Sequence, residues 1–228
     1  MIKPDFTLQS DKETKRLVFL LHGYGANGAD LLEIGQFWAP SLPLTTFIAP
    51  NAPQKWEMGP FGYQWFGLKE FDPVYITKGL DTAAPGLKKF IESQMREHNV
   101  PASQVCLVGF SQGAMLALDM MFHIKGLAGV IAYAGAFFPP IDLPKEWKYP
   151  DVLLVHGTMD PIVPYTHLMT AEHVLKKMNI SVETESCVGL GHSIDVRGLQ
   201  RGLMFVQKVL SEPSSTIMMD LPHTTTFS

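Results

Sequence analysis

The sequence predicts an α/β fold, a mostly parallel central sheet with helices on both faces. Continuous apolar runs alternate with stretches of helical periodicity from residue 17 to residue 210. A strand covered on both faces needs such unbroken hydrophobicity, and strand–helix alternation builds parallel sheets. The second observation is where the unusual loops fall. His22–Gly28, Gly109–Gly113, Gly157–Pro164 and Gly189–Ser193 each follow a predicted strand. In a parallel sheet those loops share one edge, the edge at which ligands bind.

Composition narrows the class. The chain has 228 residues, 46% of them hydrophobic, enough for one sizeable core. Residues 1–210 are expected to form a single domain, and residues 211–228, rich in Ser, Thr and Pro, a disordered C-terminal tail. A net charge of −4 without a basic stripe argues against nucleic acid as a partner. The absence of an apolar run of signal-peptide or transmembrane length argues against stable membrane insertion and for a cytoplasmic location. Cys106 and Cys187 each fall inside a predicted strand and read as buried thiols, with a disulfide as the alternative.

Taken in order, residues 1–16 are polar, a short leading strand or loop. Leu17–Leu21 is a buried strand ending in the Gly-rich loop after His22, which lacks both the Gly-x-Gly-x-x-Gly and the Gly-Lys-Ser/Thr patterns of phosphate binding. His22, at the strand end, suits an orienting hydrogen bond better than catalysis. Leu31 to Phe37 is a short helix and Thr45–Ala49 the next strand. Residues 56–75 carry seven aromatics broken by Gly and Pro, fitting neither helix nor strand. A long loop of this kind in a compact domain is usually functional. Leu80 to His98 reads as a helix, with Pro85 either in its first turn or at a kink. Gly126–Ala134 and Asp151–His156 are further buried strands, and Leu168, Ala171, Leu175 and Met178 share a helix face. Ile180–Val188 alternates, a strand with one wetter face near a sheet edge. Val196, Leu199, Leu203, Val206 and Leu210 mark the last helix.

The chain is organised around Val105–Met115, where an apolar run meets Gly109-Phe110-Ser111-Gln112-Gly113 and passes into a helix-forming stretch. Strand, sharp turn and helix leave a serine at the apex. Small residues two before and two after it let strand and helix approach, and the first helix amides suit a developing negative charge. A serine hydroxyl is a weak nucleophile until a base takes its proton. His192, in a Gly-Leu-Gly-His loop after the final strand, is the best placed of eight histidines. His98, His123, His167 and His173 fall on or at helix ends and read as solvent-facing. Asp160, on the loop after the preceding strand, can orient the imidazole. Its bland alternative is a turn or cap, and its rival Asp195 looks more like the N-cap of the last helix.

His22-Gly23-Tyr24-Gly25, Gly109–Gly113, His156-Gly157-x-x-Asp160-Pro161-x-Val163-Pro164 and Gly191-His192-Ser193, in this order, resemble the phospholipase/carboxylesterase family of α/β-hydrolases. That family includes acyl-protein thioesterases and lysophospholipases, and the similarity spans residues 17–210. The resemblance implies the α/β-hydrolase fold, with the chain order Ser111, Asp160, His192 for nucleophile, orienter and base. It also implies an oxyanion hole from the backbone N–H groups of Tyr24 and Gln112, with no cofactor and no metal. The implied activity is hydrolysis of short- to medium-chain carboxylic esters by a monomer or homodimer. Lysophospholipids and acylated proteins are alternative substrates on the same triad, and a non-catalytic binding module is the remote alternative. Tyr24 stands where eukaryotic thioesterases carry Leu, which leaves substrate preference open. Trp65, Phe66, Leu68, Phe71, Phe137, Phe138, Ile162 and Leu190 are candidates for an apolar substrate wall, and each could equally be core.

Overall fold

The computed structural model describes residues 2–3, 5–68, 71–140 and 147–211; the expected tail, from residue 212 onward, lies outside the described residues. Strand β1 (Phe6–Leu8) leads into β2 (Arg16–Leu21), helix α1 (Gly28–Trp38) and β3 (Thr45–Ala49). A two-stranded hairpin, β4 (Gln54–Lys55) and β5 (Tyr63–Gln64), precedes α2 (Pro73–Glu97). Then come β6 (Val105–Phe110), α3 (Gln112–Met120), β7 (Gly129–Tyr133), β8 (Asp151–Gly157), α4 (Thr166–Lys177), β9 (Val182–Cys187) and α5 (Val196–Val209).

Among the described residues the main sheet has seven strands in the order β1-β3-β2-β6-β7-β8-β9. All neighbours are parallel except β1, which pairs antiparallel with β3. Side chains alternate across the strands, so β2 feeds both layers. Leu17, Phe19 and Leu21 join the core that includes residues of α2, α3 and α4, while Val18 and Leu20 join the one that includes residues of α1 and α5. Two helical layers around a buried parallel sheet is the architecture the apolar runs predict, and it carries the loops after β2, β6 and β8 to one edge. No helix among the described residues is long and apolar enough to cross a membrane.

Three elements differ from the sequence reading. Helix α2 begins at Pro73 rather than Leu80, because Asp72 accepts the Val74 and Tyr75 amides and Pro73 supplies a ready-made first-turn φ. Pro85 is therefore interior; it and Gly86 lie on the exposed face, where the missing amide bond leaves no buried carbonyl stranded. The aromatic segment is not wholly irregular, since Tyr63 and Gln64 pair with Lys55 and Gln54. In α5 the buried set is Gly198, Gly202, Phe205 and Val206; the expected Val196 is 61% exposed. Cys106 and Cys187 are both buried free thiols.

Candidate active site

Strand β6 ends at Phe110 and α3 starts at Gln112, leaving Ser111 to make the turn alone at φ 53°, ψ −116°. A side chain rarely adopts that region, so surrounding contacts must hold it. The Ser111 amide donates to the Tyr133 carbonyl at 2.9 Å, and the Ser111 carbonyl accepts from Ala114 and Met115 at 3.0 and 3.1 Å. A Cβ on Gly109 would run into the Gly113 carbonyl, and one on Gly113 into the carbonyl oxygens of Leu21 and His22. Glycine at both positions is a requirement of the packing.

The loop after β9 brings His192 over the serine. The Ser111 hydroxyl donates to His192 Nε2 at 3.0 Å, and His192 Nδ1–H donates to Asp160 Oδ2 at 2.7 Å. The carboxylate fixes the tautomer: a proton on Nδ1 leaves the Nε2 lone pair facing the hydroxyl. Asp160 Oδ1 accepts from the amides of Ile162 (2.8 Å) and Val163 (2.9 Å). Burial opposes the charge on Asp160, but the hydrogen bonds from His192 and the Val163 and Ile162 amides outweigh it, holding the carboxyl below its ordinary range. Buried His156 adds a second imidazole, its Nε2–H donating to the Val163 carbonyl at 2.8 Å and lying 3.3 Å from Asp160 Oδ2. Asp195 caps α5, accepting from the Gly198 amide at 2.7 Å.

On the other side of the serine, Gly23 lies against Phe110 and Ser111, close enough that an added Cβ would sit 3.1 Å from the Phe110 ring and 3.3 Å from Ser111 Cβ. This puts the turn bearing Tyr24 against the helix start bearing Gln112, whose first amides have no partner within the helix. His22 is fully buried and uses both nitrogens: Nδ1–H donates to the Gly23 carbonyl at 2.8 Å, and Nε2 accepts from the Ala52 amide at 2.9 Å. Desolvation holds His22 below its usual 6.5, which keeps it neutral. The Tyr24 phenol donates to Glu57 at 2.8 Å; burial and the Glu57 carboxylate push it up to about 12.

Linkage gives these shifts a sign. His22 and Asp160 both have depressed folded-state values, so the unfolded chain takes up each proton first. Stability held by neutral His22 is complete above 6.5 and is lost as pH falls from there towards the folded value. That held by ionised Asp160 is complete above 3.8 and lost as pH falls through its folded value. Urea midpoints measured across the acid range should therefore fall in two stages, one starting at 6.5 and one below 3.8; a midpoint flat between 6.5 and 3.8 would contradict the His22 shift, and one flat below 3.8 the Asp160 shift.

The aromatic candidates scatter. Trp65 and Phe66 are only 1% and 3% exposed and belong to the core. Gln112 clasps both, its Oε1 accepting from the Trp65 amide (3.0 Å) and its Nε2 donating to the Phe66 carbonyl (2.8 Å). Trp65 Nε1 donates to the His22 carbonyl at 2.9 Å. They therefore brace the loop beneath Tyr24 as core residues with almost no exposed surface, the bland alternative to their reading as a wall. Phe137 is also buried, stacked on Phe122. Leu68 and Phe138 are half-buried against the α2–α4 core, whereas Leu190 packs on the α1–α5 side, so the candidates do not form one wall. Phe71, 40% exposed, contacts Phe138 and His167, which is half-buried rather than solvent-facing; His98 and His123 are half-buried as well. Ile162 is 62% exposed beside Asp160.

The fold has counterparts in known proteins. The model of the phospholipase/carboxylesterase family matches residues 4–210. The chain belongs to that family. With it, the protein is an enzyme of the carboxylesterase and thioesterase kind. It is 30% identical to the esterase YpfH of Escherichia coli over 201 residues, 87% of this chain and 85% of that protein. It is 27% identical over 225 residues to acyl-protein thioesterase 1 of Debaryomyces hansenii, 88% of this chain and 94% of that one. The crystal structure of esterase PE8 superposes with a TM-score of 0.84 at 37% identity, covering 90% of this chain and 97% of that one. Within the family frame, sequence reasoning missed the Gln112 side-chain clasp and the proximity of His156 to Asp160. The first carries no local signal, being a contact 47 residues away; the second depends on the turn after β8 folding Asp160 back towards His156, the last residue but one of that strand.

Proposed function

We propose that the protein is a serine hydrolase that cleaves carboxylic esters of short to medium acyl chain through an acyl-enzyme on Ser111. One observation carries this reading: a single imidazole, His192, spans from the Ser111 hydroxyl (3.0 Å) to a carboxylate held by two amides (2.7 Å). His192 takes the hydroxyl proton as Oγ attacks the carbonyl, and the amides of Tyr24 and Gln112 hold the oxyanion, each worth about 3–4 kcal/mol. The protonated imidazole then hands its proton to the departing alcohol or thiol. Water, deprotonated by His192, attacks the acyl-serine, and Oγ leaves with the proton. Asp160 keeps the imidazole in its tautomer and stabilises its charged form. Phe71, Phe138, Leu68 and Ile162 are left as the candidates that would meet the acyl chain. The second reading is an acyl-protein thioesterase or lysophospholipase on the same residues, favoured by the relation to the Debaryomyces hansenii thioesterase. In either, residues 1–210 form the catalytic domain and the protein works in the cytoplasm as a monomer or homodimer.

A fluorophosphonate probe should label the wild type and leave Ser111→Ala unlabelled; labelling that survives the substitution would remove Ser111 from the reading. Purified protein offered a carboxylester, a lysophospholipid and an acyl-thioester should favour the first, and a preference for either other substrate selects the second reading.

A further inference from the structure

We propose that a groove between α1 and the His192 loop receives the leaving group, and that it selects alcohols or thiols that are apolar and neutral or cationic. The inference rests on the hydrolase reading above and adds to it a substrate class. The groove has a volume of about 500 Å³, and Leu31, Ile34 and Phe37 of α1 face Phe110 and His192 across it. That size is within the range of small-molecule sites, roughly 300–1,000 Å³. Leu31 and Ile34 are buried, while Phe37 is 47% exposed, an aromatic left facing solvent on an otherwise amphipathic helix.

Its position follows the proton. The leaving oxygen or sulfur must take the proton that His192 Nε2 removed from Ser111, so in the tetrahedral intermediate it lies within hydrogen-bond reach of that nitrogen. The rest of the leaving group then extends past the imidazole. His192 is itself a wall of this groove, and the Phe110 ring, 4.9 Å from the imidazole, is another. The acyl portion stays on the carbonyl carbon and need not follow that route.

Charge sets the second half of the proposal. The exposed carboxylates of Asp30 and Glu33 border the groove, and no lysine or arginine lines it among the described residues. Asp30 is committed to the α1 capping box, accepting from the Asn27 amide and side chain, so Glu33 is the carboxylate that a substitution can change without uncapping the helix. A phosphate-bearing leaving group would meet like charge there, whereas an uncharged or quaternary-ammonium one would not.

The test uses three phenyl butyrates that differ only in one ring substituent: tert-butyl, trimethylammonium or sulfonate. On the wild type, kcat/KM relative to the alkaline hydrolysis rate should be lowest for the sulfonate. Glu33→Lys should shift the ratio of trimethylammonium to sulfonate ester by about tenfold towards the sulfonate, as expected for reversing one surface charge near the substituent. Phe37→Ala should raise KM for the tert-butyl ester more than it lowers kcat. Acyl-chain preference, measured from acetate to octanoate on one alcohol, should be the same in both variants and the wild type. An unchanged charge ratio in Glu33→Lys, or a shift in acyl-chain preference instead, would overturn the leaving-group assignment while the hydrolase reading stands. Loss of all hydrolysis and of Ser111 labelling in the wild type would overturn the hydrolase reading itself.

Discussion

The Ser111→Ala variant is expected to lose about 10⁴–10⁶-fold in turnover of a carboxylic ester, with little change in melting temperature. The hydroxyl is the only group that the variant removes, and the turn around it is held by backbone bonds: the Ser111 amide to Tyr133, and the Ser111 carbonyl to Ala114 and Met115. None of these needs the side chain. A φ of 53° is strained for alanine as much as for serine, so the fold should register almost nothing. His192→Ala should cost a similar factor, and the double variant little more than either alone, since hydroxyl and imidazole act as one unit. Asp160→Asn should fall by about 10⁴-fold, because an amide can stabilise the wrong imidazole tautomer. Steady-state kinetics on the three single variants and the double variant decide it. Additive losses would mean that the 3.0 Å contact between Nε2 and Oγ is not where the chemistry happens.

The Gly113→Ala variant is expected to be strongly destabilising for so small a change. Its Cβ would run into the carbonyl oxygens of Leu21 and His22, backbone atoms at the end of a central strand that have nowhere to go. Overpacking against flexible side chains costs about 1–3 kcal/mol, and against backbone at least the upper end of that range. For a chain of this size about 3 kcal/mol corresponds to a loss of roughly 6–12 °C in melting temperature. Gly86→Ala is the control, because its Cβ meets nothing within 4 Å on the exposed face of α2. That change should be neutral or raise stability by up to about 1 kcal/mol through helix propensity. Thermal denaturation of both variants separates a local steric requirement from a general preference for glycine. If Gly113→Ala melted with the wild type, the strand–helix contact would not be the reason for glycine there.

What could be read from the chain was what local chemistry specifies. Leu17–Leu21 and Val105–Val108 are apolar on both faces, and burial on both faces is how the sheet uses them. Gly109, Ser111 and Gly113 state a turn geometry within five residues. His192 and Asp160 were legible as neighbours because each follows one of two adjacent parallel strands, β9 and β8, and a parallel sheet puts such positions together. The start of α2 was hidden because its cap, Asp72-Pro73, sits inside a run of aromatics whose irregularity drew attention elsewhere. The roles of Trp65 and Phe66 were out of reach for a different reason. An aromatic that lines a pocket and one that braces a loop have the same composition signal, and only partners 43, 46 and 47 residues away distinguish them. The groove beside His192 was likewise invisible, since it exists only where α1 meets the loop after β9.

The two borders of the sheet carry a consequence for how copies of the chain behave at high concentration. A strand with an unpaired rim is a template for another chain, and long apolar rims promote aggregation. Here one rim is β1, only three residues long. The other is β9, where Glu183 is bridged to Arg201 and Lys208 and Glu185 to Arg197, so its solvent-side partners are charges. Among the described residues neither rim invites strand addition. A homodimer of this enzyme would then have to be built from helix or loop surfaces, and the sheet itself would stay confined to one molecule.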